Sequence, residues 1–232
     1  MVADYEGLVD SVIGDHGVKG ELLLGAVPTT LTGLVPLAAS MLKQEYPDLH
    51  VRVIPGLSHE LIRMLERGSI DAAIVSKPST IQKTHSWQLL AVEPLELLAS
   101  TDTEGDDPMV LLRTNPFIRF SREAVVGELI ESWLEGQGIV VKDSMELESL
   151  EAISSMVLSN LGVSIAPRRC VQNMNPLPIK RLALTHNTPS RQLGLLNRRD
   201  STKSRIIDET QRVLLAAVKA GQFVPANVQT VS

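Results

Sequence analysis

The sequence predicts an α/β fold built as two similar units. Three observations carry that expectation: a strand-helix-strand-helix-strand run over residues 21–75, the polar acidic loop "TDTEGDDP" that follows it, and a second strand-helix alternation restarting beyond that loop. Strands joined by helices imply parallel pairing, right-handed crossovers and helices on both sheet faces.

The elements follow in order. Glu21 to Ala26 hardly alternates and is mostly Leu, Gly and Ala, the pattern of a strand buried on both faces, and Pro28 stops it. Leu34, Leu37, Ala38, Met41 and Leu42 recur at helical spacing, predicting a helix from about Thr30 to Glu45 with Thr29, Thr30 or Thr32 as N-cap and Pro47 as its end. "LHVRVIPG" reads as a second strand, "SHELIRMLERG" as a helix opened by Ser58 and closed by Gly68, and "DAAIV" as a third strand leading into "SKPS". "WQLLAVEPLELLAS" gives two extended segments split at Pro94. After the acidic loop, "MVLLR", "IVVKDSM" and "VSIAP" read as strands, separated by helices in "SREAVVGELIESWLEGQG" and "ELESLEAISSMVLSNLG". "NPLPIKRLALTHNTPSRQLGLLNRR" starts Pro-rich and yields one strand ending in basic residues. A last helix, about Ser201 to Ala220, carries Ile206, Ile207, Val213, Leu214, Ala217 and Val218 on one side.

At 232 residues the chain is long enough for one large or two small domains with buried cores. Three Phe, two Trp and two Tyr offer no stacking platform for single-stranded nucleic acid, and a net charge of −5 argues against a large phosphate-binding face. Cys170 is the single cysteine, so no intrachain disulfide forms. The start "MVADYEGLVDSVIGDHGVKG" lacks the basic n-region and apolar core of a signal peptide, and no apolar run reaches a membrane span. The expectation is a cytoplasmic protein without membrane contact.

Candidate binding residues stand at strand ends. Thr29 and Thr30 sit where a strand's carboxyl end meets a helix N-terminus, where open α/β sheets take ligands and exposed N–H groups favour an anion. One threonine can instead simply cap the helix. Ser76 and Lys77 lie at the end of the third strand, on the same edge in a parallel sheet, or in an ordinary polar turn. In the second unit Arg119, Phe120 and Ser121 lead into a helix. Arg119 suits a carboxylate ligand, or an ion pair with Glu123 or Glu128. Gly162 reads as a helix C-cap. Enzymatic signatures fail: there is no G-x-S-x-G, Walker loop, G-x-G-x-x-G or H-E-x-x-H, and the five histidines are not spaced as a metal pair. No catalytic residue, metal or cofactor is expected. Arg168 and Arg169 beside Cys170 could lower its pKa, against a purely structural cysteine.

The run "GELLLGAVPTTLTGLVPLAASMLKQEYPDLHVRVIPGLSHELIRMLERGSIDAAIV" resembles the effector-binding domain of LysR-type transcriptional regulators, as do "FIRFSRE", "ELESLEAISSMVLSNLGVSIAP" and "PSRQLGLLNRRDSTKS". The resemblance spans nearly all of Val18 to Ala220. It implies a type 2 periplasmic-binding-protein fold: two Rossmann-like subdomains joined by two crossover strands, with a small molecule between them. Subdomain one would be 18–99 plus 188–223 and subdomain two 100–187, with 1–17 a linker remnant and 224–232 a tail. The resemblance implies ligand contacts at Thr29, Thr30, Ser76, Lys77, Arg119, Phe120 and Ser121, with Gly162 and Val163 as walls and Glu148 and Ser149 as further candidates.

The same resemblance implies a homodimer or tetramer that uses helices near 34–45 and 122–136, and an N-terminal winged helix-turn-helix that is missing here. As written, the chain is not expected to bind DNA. An uptake solute-binding protein shares this fold but needs export. Prephenate dehydratase, an enzyme on the same fold, carries a Thr-Arg-Asp-Phe signature that this sequence lacks.

Overall fold

The computed structural model describes residues 19–172, 176–184 and 187–221. The expected linker remnant and C-terminal tail, with His16 and His186, lie outside those residues.

The first unit follows the expected alternation: β1 (Gly20–Ala26), α1 (Leu34–Glu45), β2 (Leu49–Pro55), α2 (Ser58–Glu66) and β3 (Ala72–Ser76). β1 pairs parallel with both β2 and β3. The chain then runs through β4 (His85–Ser100), α3 (Pro108–Thr114), β5 (Pro116–Phe120), α4 (Val125–Gly136), β6 (Lys142–Leu147), α5 (Leu150–Leu158), β7 (Ser164–Pro167), β8 (Ile179–Ala183), β9 (Ser190–Arg198) and α6 (Ser204–Gly221).

Two cores result. One gathers β1, β2, β3, β9, the first half of β4 and helices α1, α2 and α6, with Leu22, Leu61, Ile74, Leu195 and Leu214 fully buried. The other gathers the rest around Leu97, Leu112, Phe117, Ile153 and Ile165. β4 serves both. Its first half pairs antiparallel with β9 as far as Pro94, and its second half lies between β7 and β8. The passage from core to core falls between Ala91 and Leu95, a few residues before the expected division at 99/100. The return passage lies between Leu184 and Leu193.

Several local expectations are corrected. "MVLLR" is helical, because Asp107 accepts hydrogen bonds from the N–H groups of Met109 (2.8 Å) and Val110 (3.2 Å) and Pro108 fits the first helical turn. The strand is the following segment, "PFIRF". "WQLLAVEPLELLAS" is part of one strand and not two, since Pro94 sits where β4 exchanges partners and no ladder N–H is demanded of it. "IVVKDSM" starts its strand only at Lys142, leaving Val140 exposed. The Pro-rich stretch contributes two strands, β8 and β9, one to each core.

The helix placed from Thr30 begins at Leu34, after a 3-10 turn at Pro28–Thr30. No threonine caps it. Gly33 stands at the cap position, where a Cβ would run into the Val171 carbonyl. Ser58 does not cap α2: Glu60 accepts from the Leu57 N–H (2.9 Å), and the Ser58 hydroxyl accepts from the Ser76 N–H (3.2 Å). Asn160, not Gly162, takes the left-handed position after α5. Gly162 is required for another reason, since a Cβ there would collide with the Pro116 carbonyl.

Candidate functional site

The three threonines after β1 do three different things. The Thr30 hydroxyl donates back to the Val27 carbonyl (2.7 Å) and closes the 3-10 turn. Thr29 Oγ1 accepts from Arg191 Nη1 (2.7 Å), and Arg191 is held through Nε (2.9 Å) and Nη2 by Glu93. Glu93 also accepts from the Cys170 N–H (2.7 Å). Arg191 and Glu93 are each 2% exposed, so this pair is sealed from water.

Thr32 reaches the other way. Its hydroxyl donates to Glu151 Oε1 (2.7 Å) and accepts from Arg169 Nη1 (2.6 Å), while Arg169 Nη2 also holds Glu151. Glu151 stands in the first turn of α5, whose N-cap is Ser149, and Arg169 follows the end of β7. Glu151 belongs to the second lobe and Thr32 to the first, so this triad is a bridge between lobes. Burial pushes the Glu151 carboxyl up, but the Thr32 hydroxyl and the Arg169 charge together hold it below its ordinary range. Two apolar contacts also link the lobes: Val171, after β7, packs into the first core and Leu57, before α2, against the second.

Cys170 lies in the segment after β7 that crosses to pack against the first core, and it is not activated by its arginine neighbours. Burial, and then the Glu93 carboxylate beside it, push its thiol up to about 12.

The structure brings Thr29, Thr30, Ser76 and Lys77 to one edge of the first sheet, where β1 and β3 are neighbours and the Val27 N–H bonds to the Ile74 carbonyl (3.1 Å). Thr29, Thr30 and Ser76 are buried there, and Lys77 is exposed. In the second lobe the expected residues divide. Ser121 lies at the carboxyl end of β5, beside the end of β6, and its hydroxyl accepts from the Glu123 N–H (3.3 Å). Phe120 is in the core.

Arg119 is buried and turned inward, held by Asp143 through Nε (3.1 Å) and Nη2 (3.0 Å), by Glu131, and over the Phe117 ring at 5.4 Å. Its acidic partners are therefore neither Glu123 nor Glu128. Gly162 and Val163 meet Pro116 and Phe117 at the start of β5. About 13 Å of extended strand separates that end from Ser121, so the two groups do not share a site.

A cavity lies beside the bridge, with Glu151 and Arg169 in its wall. It measures about 640 Å³ and is lined by Glu151, Ser154 and Ser155 of α5, by Arg168, Arg169 and Gln172 after β7, and by Pro94, Leu95 and Glu96 of β4. Pro176, Leu177, Arg181, Ala183 and Thr188 complete the lining. None of the nine expected contact residues lines it. The signal that could have found it is "APRR", two arginines directly after a buried strand, as Lys77 follows β3. Among the described residues no group of His, Cys, Asp and Glu could hold a metal ion, and no helix is long and apolar enough to cross a membrane.

A family model described as the LysR substrate binding domain matches residues 15–219. An uncharacterized HTH-type transcriptional regulator of Bacillus subtilis, YusT, is 26% identical over 154 residues, covering 66% of this chain and 51% of that protein. The chain thus spans about half the length of that curated relative. Among solved structures, the Corynebacterium glutamicum OxyR C206 mutant superposes with a TM-score of 0.74 at 19% identity, covering 94% of this chain and 70% of that one. The effector-binding domain of QuiR in complex with shikimate gives 0.74 at 19% identity, covering 89% and 100%.

Proposed function

This chain belongs to the LysR substrate binding domain family, and from that premise we propose that it is the effector-sensing part of a LysR-type transcriptional regulator. Its fold is the type 2 periplasmic-binding-protein fold of its structural neighbours. The relatives it matches are transcriptional regulators, which supports a binding module and not an enzyme.

The effector we propose is a small carboxylate held where the lobes meet, beside the turn at Thr29 to Thr32 and the Ser76–Lys77 edge. Lys77 supplies an exposed charge there, and one structural neighbour, the effector-binding domain of QuiR, is in complex with shikimate, itself a hydroxylated carboxylate. The observation that carries the reading is the Thr32–Arg169–Glu151 bridge. Two lobes with separate cores meet through a hydroxyl, a guanidinium and a carboxylate, groups that an incoming carboxylate can re-partner. Binding energy spent on one arrangement of the lobes then shifts their equilibrium.

In a longer, cytoplasmic regulator the shift passes through a homodimer or tetramer to a DNA-binding domain, with α1 and α4 as the surfaces between copies. Thermal unfolding in the presence of shikimate, phenolics and amino acids tests this. A carboxylate from the panel is expected to raise the midpoint saturably, and Lys77→Ala and Thr32→Val to weaken the effect. A panel in which no carboxylate binds overturns the reading.

A further inference from the structure

We propose that the cavity beside the bridge is a second ligand site, separate from the strand-end site, and that it takes a small monocarboxylate with an apolar body. At about 640 Å³ it has the size of pockets that enclose small organic ligands.

Its charge sets the ligand class. Three guanidiniums, those of Arg168, Arg169 and Arg181, line it together with two carboxylates, Glu96 and Glu151. Arg169 is paired with Glu151, and Arg181 with Glu96 at 2.5 Å. Arg168 has no ion pair among the described residues, so one positive charge stands in excess. A single carboxylate neutralises it, and a guanidinium offers that carboxylate two parallel donors. A dianion would leave a net negative charge in the same space.

The remaining wall calls for an apolar body. Pro94, Leu95, Leu177 and Ala183 line the same space with hydrocarbon, so a ring or short alkyl chain attached to the carboxylate is removed from water as the charge is paired. The site also has leverage. Pro94 lies on the first passage between lobes and Thr188 on the second, while Arg169 belongs to the bridge itself. A ligand here lies beside both passages and two members of the bridge, and so favours one lobe arrangement over others.

Isothermal titration of the chain with benzoate, hexanoate and benzamide is the test. Benzoate and hexanoate are expected to bind, and benzamide, of the same shape without the charge, at least about tenfold more weakly. Arg168→Gln and Ala183→Phe should each weaken benzoate by about tenfold or more while the unfolding midpoint is retained, the first by removing the unpaired charge and the second by filling the space. Arg52→Gln, which removes one positive charge from the exposed edge of β2, should leave benzoate affinity unchanged. Absence of benzoate and hexanoate binding, equal affinity for benzamide, or wild-type affinity in Ala183→Phe would each overturn the proposal. Shikimate binding at the strand ends is independent of all three outcomes.

Discussion

Two triads of the same chemistry hang from one turn. Thr29, Arg191 and Glu93 form the first, and three residues on, Thr32, Arg169 and Glu151 form the second. The side chains of the first ion pair are 2% exposed; those of Arg169 and Glu151 are 13% and 36% exposed. Burial, not residue type, separates their roles. Charges sealed from water cannot part without leaving an uncompensated ion in a low dielectric, so the first triad permanently fastens β4, β9 and the crossing segment. The second is open on one side, where water or a ligand anion can take the place of either partner at modest cost.

The sharpest way to break this comparison is Glu93→Ala. It strands Arg191 in the first core and should lower stability by about 3–5 kcal/mol in denaturant unfolding. A loss below about 1 kcal/mol, typical of a solvated pair, would erase the distinction. Next in size is Gly33→Ala, whose new Cβ meets the Val171 carbonyl where the crossing segment docks on the first lobe. A loss of about 1–3 kcal/mol is expected, against little change for Gly136→Ala, where a Cβ meets nothing.

The smallest expected effect is that of Glu151→Gln, about 0.5–1 kcal/mol or less, because its partner pair is half-solvated. Its pH dependence is the sharper readout. The Glu151 carboxyl is lowered in the folded protein, so the bridge contributes fully above the ordinary carboxylate pKa and is lost as pH falls through the lowered value. Wild type should therefore lose stability in acid below about pH 4.5 slightly more than Glu151→Gln does, and identical acid limbs would show that the bridge contributes nothing.

The first lobe was the more legible of the two. Its strands are aliphatic runs between strong punctuation, such as Pro28, Pro47 and Gly68, and the amphipathic last helix buries Ile207, Val213, Leu214, Ala217 and Val218 as its spacing implied. Misreadings gathered where local pattern is ambiguous. "MVLLR" is apolar enough for a strand, and only the Asp-Pro ahead of it signals a helix. At the candidate site, residue types were informative and their partners were not. Arg119 was recognised as a carboxylate binder, but its carboxylates are Asp143 and Glu131, brought by β6 and α4. The hydroxyls of Thr29 and Thr30 stand out in the sequence and Thr32 only as a helix cap, while Arg191, 162 residues from Thr29, and Arg169, 137 residues from Thr32, carry no local sign of their partners.

By itself the sequence determined the α/β alternation, the restart that makes two lobes, and the family, because these depend on periodicity, punctuation and the order of short motifs along the chain. Only the tertiary structure decided which hydroxyl serves a core and which serves a junction, that Gly162 and Val163 lie at the opposite sheet edge from Ser121, and that a cavity opens beside Arg169. Those outcomes depend on distances between residues remote in sequence and on how much water reaches them, and neither quantity is encoded in local pattern.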